Sequence, residues 1–358
     1  MSSPVSIVIP TWNGRHLLER FLPSVMAAAH WHIDRTSAPV EIVLVDDGGT
    51  DGTSEWLATI SRSSADAIRI RVVRNGENLG FGAAANRGVL EAAFPLVWLL
   101  NNDVEVSREG VSRLAAAFAA ADATLFAVHS RMVDLASGQT VGTGKMGGFA
   151  RGFLRVHRSY ITTPGSAGPF WSMFATGGSA MFRRDLFLQL GGFDSIFAPF
   201  YLEDVELSYR AWKRGWTVRY EPRSVVRHQF SSTIGPLAGG RVERISQRNR
   251  LLFHWIHLHD SGLLRAHALW VAILVVAAPW TLKWGFLQGF AEAVGKIKDV
   301  RARRARERAS AVRSDREILR IFEELDASGA IRSYGDRREL KPEDLSANFT
   351  QDVDLTVR

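Results

Sequence analysis

Two adjacent carboxylates, Glu203 and Asp204, are the clearest sign of chemistry in this sequence. They follow an aromatic stretch and open a pattern in which Val205, Tyr209 and Trp212 recur at helical spacing. Asp204 is therefore expected in the first turn of a helix, where the positive end of the helix dipole favours an ionised carboxylate. Such a carboxylate at the mouth of a pocket can act as a general base. The alternative is that the two residues only cap the helix.

Short apolar runs alternate with helical patterns over the first hundred residues. They predict strands at 5–9, 40–45, 68–73 and 96–100, and helices at 17–29, 53–60 and 83–93. This order is typical of a parallel sheet with helices on both faces, so we expect an α/β fold. Ligands of such sheets bind outside the carboxyl ends of the strands. Polar residues follow three strands, at 11–13, 46–47 and 101–103, and we expect one crevice to collect them.

The remainder of the chain is less regular. Residues 130–169 are rich in Gly, Ser and Thr and predict loops or a small antiparallel insertion; further strands are expected at 174–182, 217–220 and 225–228. Beyond about residue 234 the sequence becomes helical and basic, and its polar end predicts a loosely held tail. We therefore divide the chain into a motif-bearing domain at 1–235, a helical extension at 236–330 and a flexible tail at 331–358.

The polar cluster after the fourth strand predicts a metal site. The stretch LLNNDVEV contains two amides and the carboxylate of Asp103. Hard divalent cations such as Mg²⁺ or Mn²⁺ take oxygen ligands of this kind, together with substrate phosphates. His228 is a candidate second ligand, with a purely structural histidine as the alternative. Arg87 is a candidate for a phosphate contact, although arginines of this kind are often simply solvated.

The stretch VDDGGTDGT, which Asp46 opens, predicts a contact to a nucleobase. An aspartate at the end of a strand can accept a hydrogen bond from a base N–H, and the glycines that follow allow a ligand to approach the backbone. The alternative is an Asx-type turn into the next helix.

A possible dinucleotide fingerprint needs a separate test. The stretch NLGFGAAANRG contains Gly80, Gly82 and Ala85 at the fingerprint spacing, and Asp103 lies 21 residues beyond Gly82. Six residues separate Val73 from Gly80, so the turn is not the tight strand-to-helix turn that the fingerprint requires. The carboxylate also follows two asparagines, which suits a metal better than a ribose hydroxyl. A dehydrogenase is therefore disfavoured.

Composition limits the classes of protein. Of the 358 residues, 46% are hydrophobic and 23% are charged, which is ordinary for a globular protein with a large core. The absence of cysteine excludes disulfides, thiolate nucleophiles and zinc–thiolate sites. A net charge of +7 indicates an anionic partner, but no recognition motif for nucleic acid is present. The first strand begins directly after Pro4, so we expect no signal peptide and a cytoplasmic protein.

Most of the excess charge lies near the C-terminus. Between Lys296 and Arg320, ten Lys or Arg stand against four acids, a net charge of +6. The preceding run from Ala268 to Leu282 has fifteen residues without a charge, two of them Trp. Because a membrane-spanning helix needs about 20 apolar residues, we expect a helix lying on the inner face of the cell membrane, followed by a basic segment. A core helix or an oligomer interface are the alternatives.

Five motifs in order resemble family 2 of the inverting glycosyltransferases, which have the GT-A fold. They are IVIPTWN, VDDGGTDGT, NLGFGAAANRG, LLNNDVEV, and GGFD followed by FYLEDVELSYRAWKRGW, and together they span residues 5–232. The details are similar to the bacterial rhamnosyltransferase-like branch that builds cell-wall or surface polysaccharide. The resemblance implies a mixed, mostly parallel sheet flanked by helices. It also implies a nucleotide-diphospho-sugar donor, with dTDP-rhamnose as first choice, and a glycan or lipid-linked glycan acceptor.

The resemblance also implies roles for single residues. Asp204 is the general base, with Glu203 beside it, and Asp103 with His228 holds the Mg²⁺ or Mn²⁺ ion. The residues implied in binding the nucleotide-sugar are Pro10, Thr11, Asn13, Asp46, Asn78, Gly80, Asn86, Arg87 and Asn102.

Two motifs depart from the family pattern. Asp47 and Gly49 replace the usual asparagine and serine, a change expected to alter contacts to the base or ribose. Asn101 replaces the first carboxylate of the metal motif, which leaves Asp103 as its only charged ligand. The metal then depends more on the donor diphosphate and on His228.

Two aromatic residues, Trp171 and Tyr201, are candidates for stacking on acceptor sugars, with a core role as the alternative for each. The competing class of protein is a catalytically silent sugar-nucleotide-binding or membrane scaffold protein. The intact pair of Glu203 and Asp204 disfavours that class.

Overall fold

The structure is a computed structural model that describes residues 3–63, 68–156, 158–229 and 239–335. The strands are β1 (Val5–Thr11), β2 (Val40–Asp46), β3 (Arg69–Arg74), β4 (Leu96–Leu100), β5 (Val104–Val106), β6 (Leu125–Asp134), β7 (Thr140–Gly142), β8 (Gly144–Lys145), β9 (Gly148–Ala150), β10 (Phe153–Arg155), β11 (Ser159–Thr162), β12 (Ser179–Arg183), β13 (Thr217–His228) and β14 (Ile331–Tyr334). The helices are α1 (Arg15–Thr36), α2 (Thr53–Ser63), α3 (Phe81–Glu91), α4 (Gly110–Ala119), α5 (Arg184–Leu190), α6 (Glu203–Lys213), α7 (Gly239–His257), α8 (Ser261–Ala277), α9 (Trp284–Gly295), α10 (Ile297–Ser310) and α11 (Asp315–Ala327). A short 3₁₀ helix covers Ser195–Phe197.

A mixed sheet forms the centre of the described part of the chain. Its strand order is β3-β2-β1-β4-β12-β6-β13-β5, with β7 paired to β6. The strands β3, β2, β1 and β4 are parallel, β12 runs antiparallel to both of its neighbours, and β13 is parallel to β6. The expectation of an α/β fold with a mixed, mostly parallel sheet flanked by helices is therefore confirmed.

The first strands are buried along their whole length. β1, β2 and β4 consist almost entirely of apolar residues, as expected for strands that are covered on both faces. Helix α3 approaches β1 closely, because a Cβ at Gly88 would lie 2.3 Å from Cγ1 of Val8. Close packing of this kind fixes the carboxyl ends of the strands relative to one another.

The sequence prediction differs from the structure in several elements, among them three strands of the sheet. The strand expected at 174–182 is shorter, as β12, and the two strands expected at 217–220 and 225–228 form the single strand β13 with a register shift between Glu221 and Val225. Strand β6, in the middle of the sheet, was not predicted. The small antiparallel insertion is present as the pairs β9–β10 and β8–β11.

The C-terminal helices are part of the same core. Leu251 and Phe322, beyond the predicted boundary at 235, lie in one buried cluster with Trp212 of α6. The flexible tail was predicted to begin at residue 331. That bound is wrong, because residues 331–334 form β14, which pairs antiparallel with β11. Within the described ranges, the structure contains no helix that is both long and apolar enough to cross a membrane.

Candidate functional site

The carboxyl ends of β1, β2 and β4 meet at one edge of the sheet. Thr11 is paired with Asp46 in the sheet register, and the Oγ1 of Thr11 accepts a hydrogen bond of 2.8 Å from Nδ2 of Asn102. Pro10 is buried in β1 opposite Val45. The three polar clusters that follow these strands are therefore neighbours, as the strand order predicts.

Asp46 and Asn13 shape the turn that leads into α2. Asp46 is fully buried; its Oδ1 accepts from the backbone N–H of Gly49 at 2.9 Å, and its Oδ2 accepts from the hydroxyl of Ser54. Asn13 has a left-handed backbone with a φ of 48°, and its Oδ1 accepts from the N–H of Thr50 at 2.7 Å. These bonds correspond to the Asx-type alternative, so the contact of Asp46 to a nucleobase stays a prediction.

Asp47 holds the loop that enters α3. Its Oδ1 accepts from Nδ2 of Asn75 at 2.7 Å and from the N–H of Leu79 at 3.1 Å, while its Oδ2 accepts from the N–H of Gly80 at 2.8 Å. An asparagine, the usual family residue, has one oxygen acceptor and cannot accept at both ends of its side chain. Asn78 adds a bond from its Oδ1 to the same N–H of Gly80. This departure therefore has a structural reason that the sequence did not reveal.

Asn86 and Arg87 lie on α3 and make protein contacts. Asn86 donates to the carbonyl of Phe193 at 2.9 Å and accepts from the N–H of the same residue at 2.8 Å, so its amide joins α3 to the GGFD segment. Arg87 forms an ion pair with Glu91 at 3.0 Å, one turn along the same helix. Their predicted contacts to the donor stay predictions, and the structure assigns Asn86 a positioning role.

Asp103 and His228 form the group that suits a divalent metal. The Oδ1 of Asp103 lies 3.1 Å from Nε2 of His228, and Nδ2 of Asn101 lies 3.4 Å from the same nitrogen. The register between β5 and β13 causes this meeting, because His228 is paired with Val104. One carboxylate and one imidazole are ligand types that Mn²⁺ or Mg²⁺ accepts together with phosphate oxygens of a substrate. The described residues contain no group of three or more His, Asp or Glu side chains that could hold a metal, so substrate oxygens would have to complete the coordination.

The acid pair, Glu203 and Asp204, lies next to this group across a turn of two glycines. The Oδ2 of Asp204 accepts from the N–H of Gly177 at 3.3 Å, and the carbonyl of Gly178 accepts from the N–H of Asn101 at 3.1 Å. The second glycine is required, since a Cβ there would lie 2.6 Å from Nδ2 of Asn101. The base candidate and the metal candidate therefore face the same crevice.

Burial changes the acidity of the acid pair. Burial raises the pKa of Asp204, against the opposing effects of the Gly177 and Val205 N–H groups and the charge of Lys145. Burial, followed by the charge of Asp204, raises the pKa of Glu203 to about 8. The Oε2 of Glu203 is buried without a hydrogen-bond partner among the described residues. Both carboxyl groups therefore hold a proton more readily than an exposed carboxyl group does.

The two aromatic candidates lie in different places. Tyr201 directly precedes the acid pair and is 39% exposed. Trp171 forms a bridge to Arg219 and packs edge-on against Trp212. Arg219 is nine residues before His228 on the same strand, about 30 Å away at the rise of an extended chain. The structure favours the packing alternative for Trp171, whose backbone lies at the opposite end of β13 from His228, and its contact with the acceptor stays a prediction.

Residues to which the sequence analysis gave no role hold the acid pair in place. Asn249 of α7 donates to three carbonyls of the loop before α6. Arg210 forms an ion pair with Glu206 and donates to the carbonyl of Gly192. Asp315 pairs with Lys213 at 2.5 Å in the core. The spacing of Glu206 and Arg210, four residues apart on one helix, was the one available signal.

A sheet of this order, with polar strand ends and an acid pair at one crevice, defines a GT-A-type nucleotide-sugar enzyme. The chain belongs to glycosyl transferase family 2, whose family model matches residues 6–191. A second family model, glycosyl transferase family group 2, matches residues 106–297 and so crosses the predicted boundary at 235. The chain is therefore a glycosyltransferase that uses a nucleotide-sugar donor.

Individual relatives agree with this assignment. The chain is 28% identical over 296 residues to the N-acetylglucosaminyl-diphospho-decaprenol L-rhamnosyltransferase of Mycobacterium tuberculosis (strain ATCC 25618 / H37Rv), covering 75% of this chain and 89% of the relative. It is also 35% identical over 119 residues to validoxylamine A glucosyltransferase of Streptomyces hygroscopicus subsp. limoneus, covering 32% of this chain and 24% of the relative. The expected likeness to the rhamnosyltransferase-like branch is confirmed.

A solved structure has a similar fold. The crystal structure of GalNAc-T7 with UDP, GalNAc and Mn²⁺ matches with a TM-score of 0.56 and 20% sequence identity. The match covers 72% of this chain and 49% of that chain, so the present chain spans about half of its length. This likeness confirms the GT-A fold.

Proposed function

We propose that the chain is an inverting glycosyltransferase with Asp204 as its general base. The donor is a nucleotide-diphospho-sugar, with dTDP-rhamnose as first choice, and the acceptor is a hydroxyl of a glycan or lipid-linked glycan that builds cell-wall or surface polysaccharide. The observation that carries the proposal is the meeting of the acid pair with Asn101 and Asp103 across the glycine turn at 177–178. The relative from M. tuberculosis, named for rhamnosyl transfer to a decaprenol-linked sugar, supports the choice of donor and acceptor.

The proposed reaction is a single displacement. Asp204 takes the proton of the acceptor hydroxyl as its oxygen forms a bond to the anomeric carbon. The bond between that carbon and the diphosphate oxygen breaks, the electron pair leaves with the nucleoside diphosphate, and the anomeric configuration inverts. Glu203 keeps its proton at neutral pH and so can donate a hydrogen bond to an acceptor oxygen or orient its neighbour.

Asp103 and His228 are the residues that would hold Mg²⁺ or Mn²⁺ beside the donor diphosphate. Such a cation supplies positive charge against the leaving diphosphate. Asn102 lies one residue away and binds Thr11, so the same turn connects the metal group to the nucleotide side of the crevice. Asp103 is only 5% exposed, so little water screens the interaction between its carboxylate and a bound cation.

Product analysis tests the reaction and its competitor. Wild-type protein, Asp204→Asn and Glu203→Gln are incubated with dTDP-rhamnose, UDP-sugars and a polyprenyl-diphosphate-linked N-acetylglucosamine acceptor. Transfer with inversion by the wild type and loss of transfer in Asp204→Asn is the expected result. If wild-type protein binds donor tightly and releases no nucleotide with any acceptor, the silent sugar-nucleotide-binding or scaffold function is favoured instead.

Donor binding with and without divalent cation tests the metal. We expect calorimetric affinity for dTDP-rhamnose to fall when Mn²⁺ is removed with EDTA, and to become insensitive to EDTA in Asp103→Asn. Val312→Ser, an exposed change between α10 and α11, is a suitable comparison. Equal binding by wild-type protein in both conditions would contradict a metal at Asp103.

An apolar ridge on α8, α9 and the turn between them supports contact with a membrane surface. Its members are exposed large hydrophobic residues: Leu269, Ile273, Val276, Trp280, Leu282 and Trp284. Trp280 is 86% exposed and Leu282 76%, while Lys283 lies between Leu282 and Trp284. Exposed Trp with a neighbouring cation is typical of a helix that lies in the lipid interface. We infer a peripheral protein on the inner face of the cell membrane, with the ridge toward the lipid.

The basic segment after the ridge makes protein contacts as well. Arg303 pairs with Asp194 at 2.7 Å, and Arg304 and Arg313 donate to the carbonyls of Trp255 and Trp216. The expectation that this whole segment faces lipid headgroups is therefore too broad. The lipid contact is assigned to the ridge, and the arginines named here fasten α10 and the start of α11 to the rest of the fold.

Vesicle flotation tests the ridge. Trp280→Ser/Trp284→Ser is compared with wild type on vesicles of phosphatidylcholine with and without phosphatidylglycerol, and exposed Leu79→Ser far from the ridge serves as a matched control. Single-site changes are preferable to truncation, since the C-terminal helices belong to the core. Loss of flotation in the ridge variant alone is expected. Equal flotation of all three proteins, or a ridge-dependent dimer without lipid binding, would favour another surface or the oligomer interface.

A further inference from the structure

The loop that leads into the acid pair, residues 197–202, has an unfavourable backbone. Tyr201 and Leu202 both have a φ of 72°, in the left-handed region that is unfavourable for residues with a side chain. Leu202 is the N-cap residue of α6, and its side chain makes no capping hydrogen bond. Conformations of this kind persist only when neighbouring groups hold them.

Two residues of α7, here called the α7 clamp (Arg248 and Asn249), hold this loop. The Nδ2 of Asn249 donates to the carbonyls of Phe197 at 2.7 Å, Phe200 at 3.0 Å and Tyr201 at 2.9 Å. Arg248 donates to the carbonyl of Ala198 through Nη2. Arg248 also donates through Nε to Oδ1 of Asn249 at 3.0 Å, so the two clamp residues orient each other.

The chemistry of an amide suits this position. Asn249 is fully buried, and a neutral NH₂ group presents two donors from one point without the cost of a buried charge. Because three carbonyls lie within 3.0 Å of one nitrogen, at least one of its hydrogens is shared. Aspartate has the same shape and no donor, and it would place negative charge against the carbonyl oxygens.

The clamp is itself supported from behind. Helix α9 packs against α7 so closely that a Cβ at Gly289 would lie 2.8 Å from the backbone nitrogen of Arg248. The Nη1 of Arg248 also lies 3.6 Å from Oε2 of Glu292 on α9. Helix α9 of the helical extension therefore contacts α7, and α7 in turn binds the loop before the acid pair.

We propose that Asn249 is a positioning residue that sets the orientation of Asp204 by holding the carbonyls of residues 197, 200 and 201. The proposal rests on the proposed function for its kinetic consequence but not for its structural one. Asn249 follows these three residues by 48 to 52 positions in the chain. It thus stabilises a loop whose backbone conformation is unfavourable for the loop's own residues.

The test compares Asn249→Asp, Asn249→Leu and Asn249→Gln with Leu252→Ala, a fully buried change on the same helix. The control is expected to lose stability, because the truncated side chain leaves a cavity in the core. Each protein is assayed for rhamnosyl transfer, for binding of dTDP with Mn²⁺, and for hydrogen exchange of the amides at 201–205. We expect Asn249→Asp and Asn249→Leu to lose about 100-fold in kcat, the effect of a displacement of about 1 Å. Binding of dTDP is expected to stay unchanged, and exchange at 201–205 to become faster.

The outcomes separate this proposal from the proposed function. Asn249→Gln, which keeps both donors, should retain more turnover and slower exchange than Asn249→Leu. If Leu252→Ala lowers kcat as much as Asn249→Leu at equal stability, the effect is general loosening and the positioning role is overturned. If no protein transfers sugar, the exchange data still decide: unchanged protection at 201–205 in Asn249→Asp overturns the clamp. Faster exchange there, with the control unchanged, supports it.

Discussion

The two sides of the crevice are held in place by different means. On the nucleotide side, Thr11, Asp46 and Asn102 lie at the ends of buried strands, and the sheet register brings them together. On the side of the acid pair, the loop before α6 depends on Asn249 and Asp204 depends on a turn from a distant segment. One side is set by regular secondary structure, and the other by single polar contacts between distant parts of the chain.

The difference continues into the core. Helix α6 carries ionic groups that are almost completely buried, and two of them pair with residues in other parts of the chain. Lys213 pairs with Asp315, and the Oε1 of Glu206 lies 3.0 Å from Nε2 of His257. The nucleotide side has its charged pairs on exposed surfaces, such as Arg15 with Glu19. Substitutions should therefore affect the two sides unequally.

The largest effect is expected for Asp204→Asn. Loss of a general base lowers turnover by about 10²–10⁴-fold, whereas donor binding should be kept because the strand-end residues are unchanged. Steady-state rates and calorimetric donor binding, measured on the same preparation, check both halves of the statement. Near-normal turnover would remove Asp204 from the proposed role, and lost donor binding would show that the two sides are not independent.

Asp315→Ala tests the buried polar contacts. Removing one member of a buried pair leaves Lys213 without its partner and costs about 3–5 kcal/mol of the free energy of unfolding. The matched change on the nucleotide side, Glu19→Ala, breaks an exposed pair and should cost about 0–1 kcal/mol. Urea denaturation of both variants measures the comparison. If both variants lose the same free energy of unfolding, buried ion pairs do not distinguish the acid-pair side from the nucleotide side.

Glu203→Gln should stabilise the protein at alkaline pH. The unfolded chain ionises Glu203 near its ordinary pKa, whereas the folded protein raises that pKa to about 8, so stability falls as pH rises through this window. Glutamine does not ionise, so the variant does not lose this stability as the pH rises. The melting temperature of the variant should exceed that of wild type at pH 8, by roughly 2–4 °C for each kcal/mol relieved, and approach it at pH 5. A difference that does not change with pH would contradict the raised pKa.

The smallest effect is expected for Trp171→Leu. Because Trp171 packs edge-on against the core residue Trp212, its replacement should leave the KM for acceptor unchanged. Tyr201→Ala should raise that KM by about two- to tenfold, which corresponds to an aromatic contact of about 0.5–1.5 kcal/mol. Titration of the acceptor with each variant measures the two KM values. A KM raised in Trp171→Leu alone would mean that Trp171, and not Tyr201, contacts the acceptor.

Several parts of this protein were predictable from local sequence. Apolar β-branched runs identified β1, β2 and β4, and the rule that ligands bind at carboxyl ends of strands identified Thr11, Asp46 and Asp103 as neighbours. Strand β6 was missed although it begins with four apolar residues. Its neighbours β12 and β13 are far away in sequence, and periodicity within a short run cannot indicate such pairing.

The residues themselves determined the fold class, the family and the chemical types present at the site, because strand and helix patterns and five ordered motifs depend on neighbours in the chain. Tertiary structure alone decided that Trp171 packs against Trp212, that Asp47 holds the loop at 75–80, and that Asn249 binds the loop before the acid pair. The physical reason is the range of the interactions. A hydrogen bond to a backbone carbonyl requires only a suitable donor within about 3 Å, and no local pattern specifies which distant residue the packing will bring there.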